Sequence, residues 1–114
     1  MGGGGRVAAR VNRGEIWLYS FDSPDKRRPV LVLSRQRAID LLRTVIVAPI
    51  TSSVRGAPSE VPLGLDEGLK HPSVVTLDHV QTVDQRKLHS FVGTVGSAKM
   101  AAVCAGLNIA TGCG

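Results

Sequence analysis

Lys26, Arg27 and Arg28 lead directly into Pro29, while Thr51, Ser52 and Ser53 follow an apolar run that ends at Ile50. A proline, which lacks an N–H, is tolerable at the first position of a strand, so Arg28 is expected at a strand entrance. The hydroxyl cluster leaves the end of another strand. If the two ends converge on one rim, a permanently charged guanidinium offers paired hydrogen bonds to a phosphate, or to the dianionic phosphorane of phosphodiester cleavage, and a hydroxyl adds a further donor. The same spacing also suits exposed arginines and turn-forming Ser and Thr. Other chemistries find less support. His71, His79 and His89 are scattered, with no carboxylate or cysteine at ligand spacing, so no metal site is expected. Cys104 lies in an apolar helical segment and reads as a small core residue. No glycine loop of the phosphate-cradling kinds opens a strand–helix unit, and no cofactor is implied.

The elements that must position these residues are mostly short strands. Trp17, Tyr19 and Phe21 alternate with Ile16 and Leu18, a period of two that predicts a strand over residues 15–21. Residues 22–28 form a polar loop between Pro24 and Pro29, and residues 29–34 are an apolar run suited to a buried strand. Ala38, Ile39 and Leu42 suggest a short helix or loop over residues 35–42, and residues 44–51 form a third strand. Further strands are expected over residues 60–63, 73–77, 79–83 and 90–95, with a turn at 85–88. Ser97 reads as the N-cap of a terminal helix over residues 98–110, with Met100, Val103 and Leu107 at core spacing and Gly106 weakening it. Many short strands and one late helix predict a mainly β, α+β fold, a small barrel or sandwich. So apolar a helix, with Lys99 its one charge, suggests cover on more than one face and hence a subunit interface.

Length and charge frame this reading. A chain of 114 residues holds one domain and can bury a core without disulfides or metal. Mean hydropathy is +0.11, and no apolar run approaches the ~20 residues of a spanning helix, so no membrane is expected. Two cysteines, Cys104 and Cys113, are too few for a disulfide framework and point to reduced thiols in cytoplasm. Residues 1–12, opening on a glycine run, read as a disordered extension, a misassigned start or an engineered addition, and residues 13–114 as the domain. The net charge of +5 is uneven. Residues 1–55 carry ten basic side chains against Glu15, Asp22, Asp25 and Asp40, a balance of +6, and the remainder balances at −1. An anionic partner, nucleic acid or an acidic protein segment, is the functional reading; a solvated surface with a basic tail is the alternative.

Taken in order, several segments resemble the MazF/PemK family of toxin endoribonucleases. They are Arg13-Gly14-Glu15-Ile16-Trp17, Arg28-Pro29-Val30-Leu31-Val32-Leu33-Ser34, Val47-Ala48-Pro49-Ile50-Thr51-Ser52, Glu60-Val61, Asp78-His79-Val80-Gln81-Thr82-Val83 and Gly93-Thr94-Val95. The resemblance implies an SH3-like barrel shared with CcdB-type toxins, a homodimer, and metal-independent cleavage of single-stranded RNA at short motifs. It makes Arg28 and Thr51 the catalytic pair. Attack by the substrate's own 2′-OH would leave a 2′,3′-cyclic phosphate and a 5′-OH, with Arg28 stabilising the phosphorane and a candidate for protonating the leaving group. Asp25, Lys26, Arg27, Ser52, Ser53, His79 and Gln81 are the expected substrate contacts.

The chain also departs from the family. Many members carry a Gly-Ser-Glu element in a longer first loop, whose Glu is a candidate general base; here Asp25 is the one acid in the shortened loop, leaving Asp25 or His79 for that role. His79 and Gln81 would share one face of a strand and could read base edges, or His79 could be a structural partner. The implied protein partner is a MazE-like antitoxin whose acidic disordered tail competes with RNA for the same cations. Two other classes stand beside this reading: a CcdB-like toxin that inhibits DNA gyrase by contact, and a non-catalytic RNA-binding module.

Overall fold

The computed structural model describes residues 11–20 and 27–113. Its elements are β1 (Glu15–Ser20), β2 (Arg27–Val32), α1 (Gln36–Leu41), β3 (Thr44–Thr51), β4 (Glu60–Leu63), β5 (Ser73–Thr76), β6 (Gln81–Asp84), β7 (Leu88–Thr94) and α2 (Ser97–Thr111). Single 3-10 turns occupy Leu65–Glu67, Leu77–His79 and Gln85–Lys87. Seven antiparallel strands run in the order β4-β5-β3-β2-β1-β7, with β6 also paired to β3. The fold is mainly β with a C-terminal helix.

Apolar alternation explains why the sheet is covered on both sides. Ile16 of β1, Leu31 of β2, and Ala48 and Ile50 of β3 enter one core cluster, which includes Val103 of α2. Their neighbours Trp17, Val30, Val32, Val45 and Val47 enter a second, with Ile39 of α1 and Val83 of β6. Successive strand residues point to opposite faces, so the continuous apolar runs of β2 and β3 are those of strands buried on both. Gly106 sits where an added Cβ would press on the Ser59 carbonyl and on Val61 and Leu77. The glycine that costs helix propensity is what lets α2 lie close against β4. Only Val103 and Gly106 of α2 are buried; Ala101, Ala102, Cys104, Ala105 and Ile109 are exposed within this chain.

A second close approach draws the ends of the strand order together. A Cβ on Gly93 of β7 would collide with the Glu67 carbonyl, and one on Gly68 with the Val92 carbonyl. Gly68 moreover has φ +88°, a conformation glycine adopts without strain. The turn after β4 therefore seats directly on β7 and closes the sheet into a barrel.

Several boundaries differ from the sequence reading. β2 begins at Arg27, because Arg27 and Arg28 pair with Ser20 and Tyr19 of β1. The strand expected from His79 begins at Gln81; residues 77–79 make a 3-10 turn instead. There Leu77 is buried beneath α2, its N–H donates to the Ser59 carbonyl, and Ser59 Oγ donates to Asp78. The N-cap of α2 is Gly96 and Ser97 is its first helical residue, with no side-chain cap. Val11 is fully buried, and Asn12 hydrogen-bonds Glu15 and Gln36, so both join the folded domain. Cys104 is exposed rather than in the core, with Arg13 Nη2 donating to its Sγ at 3.4 Å.

Candidate active site

The β2–β3 ladder runs Val32↔Val47, Leu31↔Ala48, Val30↔Pro49 and then stops. Continued by two residues, that register would set Arg28 opposite Thr51. The ladder ends there, while on the other edge of β3, beyond its pairs with β6, Ile50 pairs with Val75 and Thr51 with Val74 of β5. β2 and β3 part at these positions and open a groove. Proline placement suits the parting: Pro29 and Pro49 cannot donate ladder hydrogen bonds, and they stand at the point where β2 and β3 separate.

Arg28, Ile50, Thr51 and Ser53 line both a larger groove of about 610 Å³ and a smaller one of about 330 Å³. They form the ridge between them. Arg27 and Ser52 line the larger groove, as do Lys70 and His71 from the β4–β5 connection. His79 lines the smaller, beside Arg55, Glu60 and Asp78. Gln81, on β6 opposite Val47, lines neither. Asp25 and Lys26 lie outside the described residues.

Local chemistry fits an anionic ligand. Arg27 and Arg28 are exposed and make no ion pair among the described residues, where the two ion pairs are Arg86–Asp84 and Lys99–Glu67. Thr51 Oγ1 accepts from the Ser53 N–H at 3.1 Å, which fixes the hydroxyl and leaves its proton to donate. Glu60 accepts from the Gly56 N–H at 2.9 Å and from the Arg55 N–H, so the loop after β3 is tied back to β4.

Residues that pattern reading missed are Lys70, His71, Arg55, Glu60 and Asp78. Glu60 opens β4 and the other four belong to turns and loops, and no local periodicity marks which of them face Arg28. The turn closing the barrel was the needed signal, and it depends on Gly68 and Gly93 meeting across 25 positions of chain.

Residues 12–111 match the family model of the PemK-like, MazF-like toxin of type II toxin-antitoxin system. The chain is 41% identical over 109 residues to the probable endoribonuclease MazF5 of Mycobacterium tuberculosis, covering 94% of this chain and 98% of that protein. Among solved structures, the M. tuberculosis toxin MazF-mt6 superposes with a TM-score of 0.79 at 36% identity, over 86% of this chain and 96% of that one. A MazE-MazF crystal structure from Deinococcus radiodurans gives a TM-score of 0.76 at 27% identity, over 90% and 95% of the two chains. With the family pattern spanning nearly all the described fold, and a relative of this identity matching end to end, the chain belongs to the PemK-like, MazF-like toxins of type II toxin-antitoxin systems.

Proposed function

We propose that the protein is an endoribonuclease that cleaves single-stranded RNA at short motifs by attack of the substrate's 2′-OH on the adjacent phosphodiester. The observation that carries this reading is the end of the β2–β3 ladder, beyond which Arg28, without an ion pair among the described residues, lines the same grooves as a hydroxyl already oriented at Thr51. The nucleophile comes from the RNA, so the chain need only hold the phosphate in line, move a proton and stabilise charge. Arg28 binds the phosphorane with its two-pronged guanidinium, and Thr51 donates to a non-bridging oxygen. His79, in the smaller groove next to that ridge, and Asp25 are the candidates for taking the 2′-OH proton. The products are a 2′,3′-cyclic phosphate and a 5′-OH, and no metal enters the chemistry.

The family membership and the relatives' names support this activity, and the MazE-MazF structure supports a cognate antitoxin. An acidic, flexible antitoxin tail would occupy the groove lined by Arg27 and Arg28. The reading extends to a homodimer acting in the cytoplasm, joined in part through the exposed apolar side of α2.

Incubating the protein with unstructured mixed-sequence RNA in EDTA, beside Arg28→Ala and Thr51→Ala, tests the reading, with the fragments' 5′ ends sequenced to give the motif. Wild-type cleavage and two inactive, folded variants are expected. Full cleavage by a folded Arg28→Ala protein removes Arg28 from the mechanism. Gyrase inhibition without RNA cleavage replaces the whole reading with a contact toxin.

A further inference from the structure

The two grooves differ in charge. The smaller is lined by two carboxylates, Glu60 and Asp78, as well as by Arg55 and His79. No acidic residue lines the larger among the described residues, whereas Arg27, Arg28, Lys70 and His71 do. Arg27 and Arg28 come from β2, on one side of β3, and Lys70 and His71 from the chain that enters β5, on its other side. A strand of phosphates laid in the larger groove would thus meet cations on both sides, and the carboxylates of the smaller groove would repel it. Both Lys70 and His71 are exposed, and neither makes an ion pair among the described residues.

Their backbone is held firmly for a surface connection. Glu67 accepts from the Gly64 N–H at 2.7 Å and from Lys99 Nζ of α2 at 2.8 Å, with its side chain 5% exposed. Leu69, one residue before Lys70, is buried in the core, and its N–H donates to the Gly64 carbonyl. Ser73 Oγ donates to the His71 carbonyl at 3.0 Å. The Gly68–Gly93 seam locks the same turn against β7. A wall preorganised in this way loses little freedom on binding.

We propose that Lys70 and His71 are RNA-binding residues that take backbone phosphates flanking the scissile one, and that the pair of buried Glu67 with half-exposed Lys99 is the positioning device that sets this wall. The inference rests on the reading of the protein as a ribonuclease. It assigns the larger groove to the RNA backbone and leaves the smaller one, with its carboxylate acceptors, to base edges.

The test uses two substrates. A mixed-sequence RNA reports cleavage with protein in excess, and its fully 2′-O-methylated counterpart, which has no nucleophile, reports binding by fluorescence anisotropy. Lys70→Ala/His71→Ala is expected to raise the Kd for the methylated RNA about tenfold, to flatten its dependence on log salt by about 0.7 per lost phosphate contact, and to keep the saturating cleavage rate within about twofold. Lys99→Met is expected to weaken binding in the same direction, Lys99→Arg to restore it, and Lys99→Met added to the double variant to cost little more.

An unchanged Kd in the folded double variant, or a loss confined to the saturating rate, overturns the binding role of the wall. A Lys99→Met protein that melts cooperatively and binds like wild type overturns the positioning role. If wild type binds the methylated RNA but cleaves nothing, the ribonuclease reading fails, while the Kd comparison still decides the wall. If wild type cleaves and the double variant binds normally, the wall alone fails.

Discussion

Arg28 differs from the other cations of the chain less by its charge than by its position. It stands on β2 just beyond the end of the ladder with β3, lining the same groove as a Thr51 whose hydroxyl is already held by the Ser53 N–H. Lysine at this position keeps the charge and loses the planar fork, so Arg28→Lys is expected to lower the saturating cleavage rate about 10²-fold with little change in RNA affinity. Thr51→Val keeps the shape and removes the donor, and a loss of similar size is expected. Single-turnover rates at saturating protein measure both; a loss seen only in KM would instead make these residues plain binding groups. These two side chains were legible in the sequence because proline and a hydroxyl run mark strand ends locally. His79 was legible by type but not by setting: the buried Leu77 and the Ser59–Asp78 contact bend the chain there into a turn. Lys70 and His71 carried no signal, since what brings them to the groove is a seam between distant glycines.

At the scale of elements, two connections hold strands and helices in register through single polar side chains. Burial pushes the Glu67 carboxyl up, but hydrogen bonds from Lys99 and the Gly64 N–H, together with the Lys99 charge, outweigh it and leave the pKa below its ordinary 4.5. A carboxylate whose pKa is lower in the folded state adds stability above its unfolded value and loses it as pH falls through the folded one. Glu67→Gln is therefore expected to destabilise the protein by about 1 kcal/mol near neutral pH. The difference from wild type should hold constant down to about pH 5 and shrink below 4.5. Denaturant midpoints across that range measure it, and an equal difference at pH 7 and at the acid end would deny the linkage.

The second connection is Gln85, buried in the turn before β7, whose Nε2 donates to the Ile39 and Leu42 carbonyls at 2.9 and 2.8 Å. It satisfies the last carbonyls of a helix of only six residues. Gln85→Leu leaves both without that donor, and a loss of about 1–3 kcal/mol in chemical denaturation is expected, with cleavage by the native protein unchanged. Pattern placed β1, β3 and β4 well, because alternation marks β1 and β4 and a continuous apolar run marks β3. It failed at Leu77–His79, where burial beneath α2 and the Ser59–Asp78 contact decide the conformation, whereas the turn expected at 85–88 is present as Gln85–Lys87.

Over the whole molecule, the described cations of the first half fall in distinct places, with Arg13 held against the Leu33 carbonyl and Cys104. Arg27, Arg28 and Arg55 line the grooves, whereas Arg35, Arg37 and Arg43 sit on or beside α1 and line neither. The sequence count could not separate these sets, since both fall within the same 55 residues. Salt dependence can. Each phosphate neutralised on single-stranded nucleic acid contributes about 0.7 to the slope of log affinity against log salt. Contacts from Arg27, Arg28 and Lys70 alone would give a slope of about −2, and recruitment of the α1 arginines as well would give about −4. A slope near −2 is expected for the 2′-O-methylated RNA, unaltered in an Arg35→Ala/Arg37→Ala/Arg43→Ala protein. A flexible Asp- and Glu-rich peptide should compete with that RNA and lose affinity over the same salt range, because it meets the same cations. If the triple variant flattens the slope by about 2, or if the peptide and the RNA bind together, then the charge that recruits ligands is spread over the surface rather than gathered where β2 and β3 part.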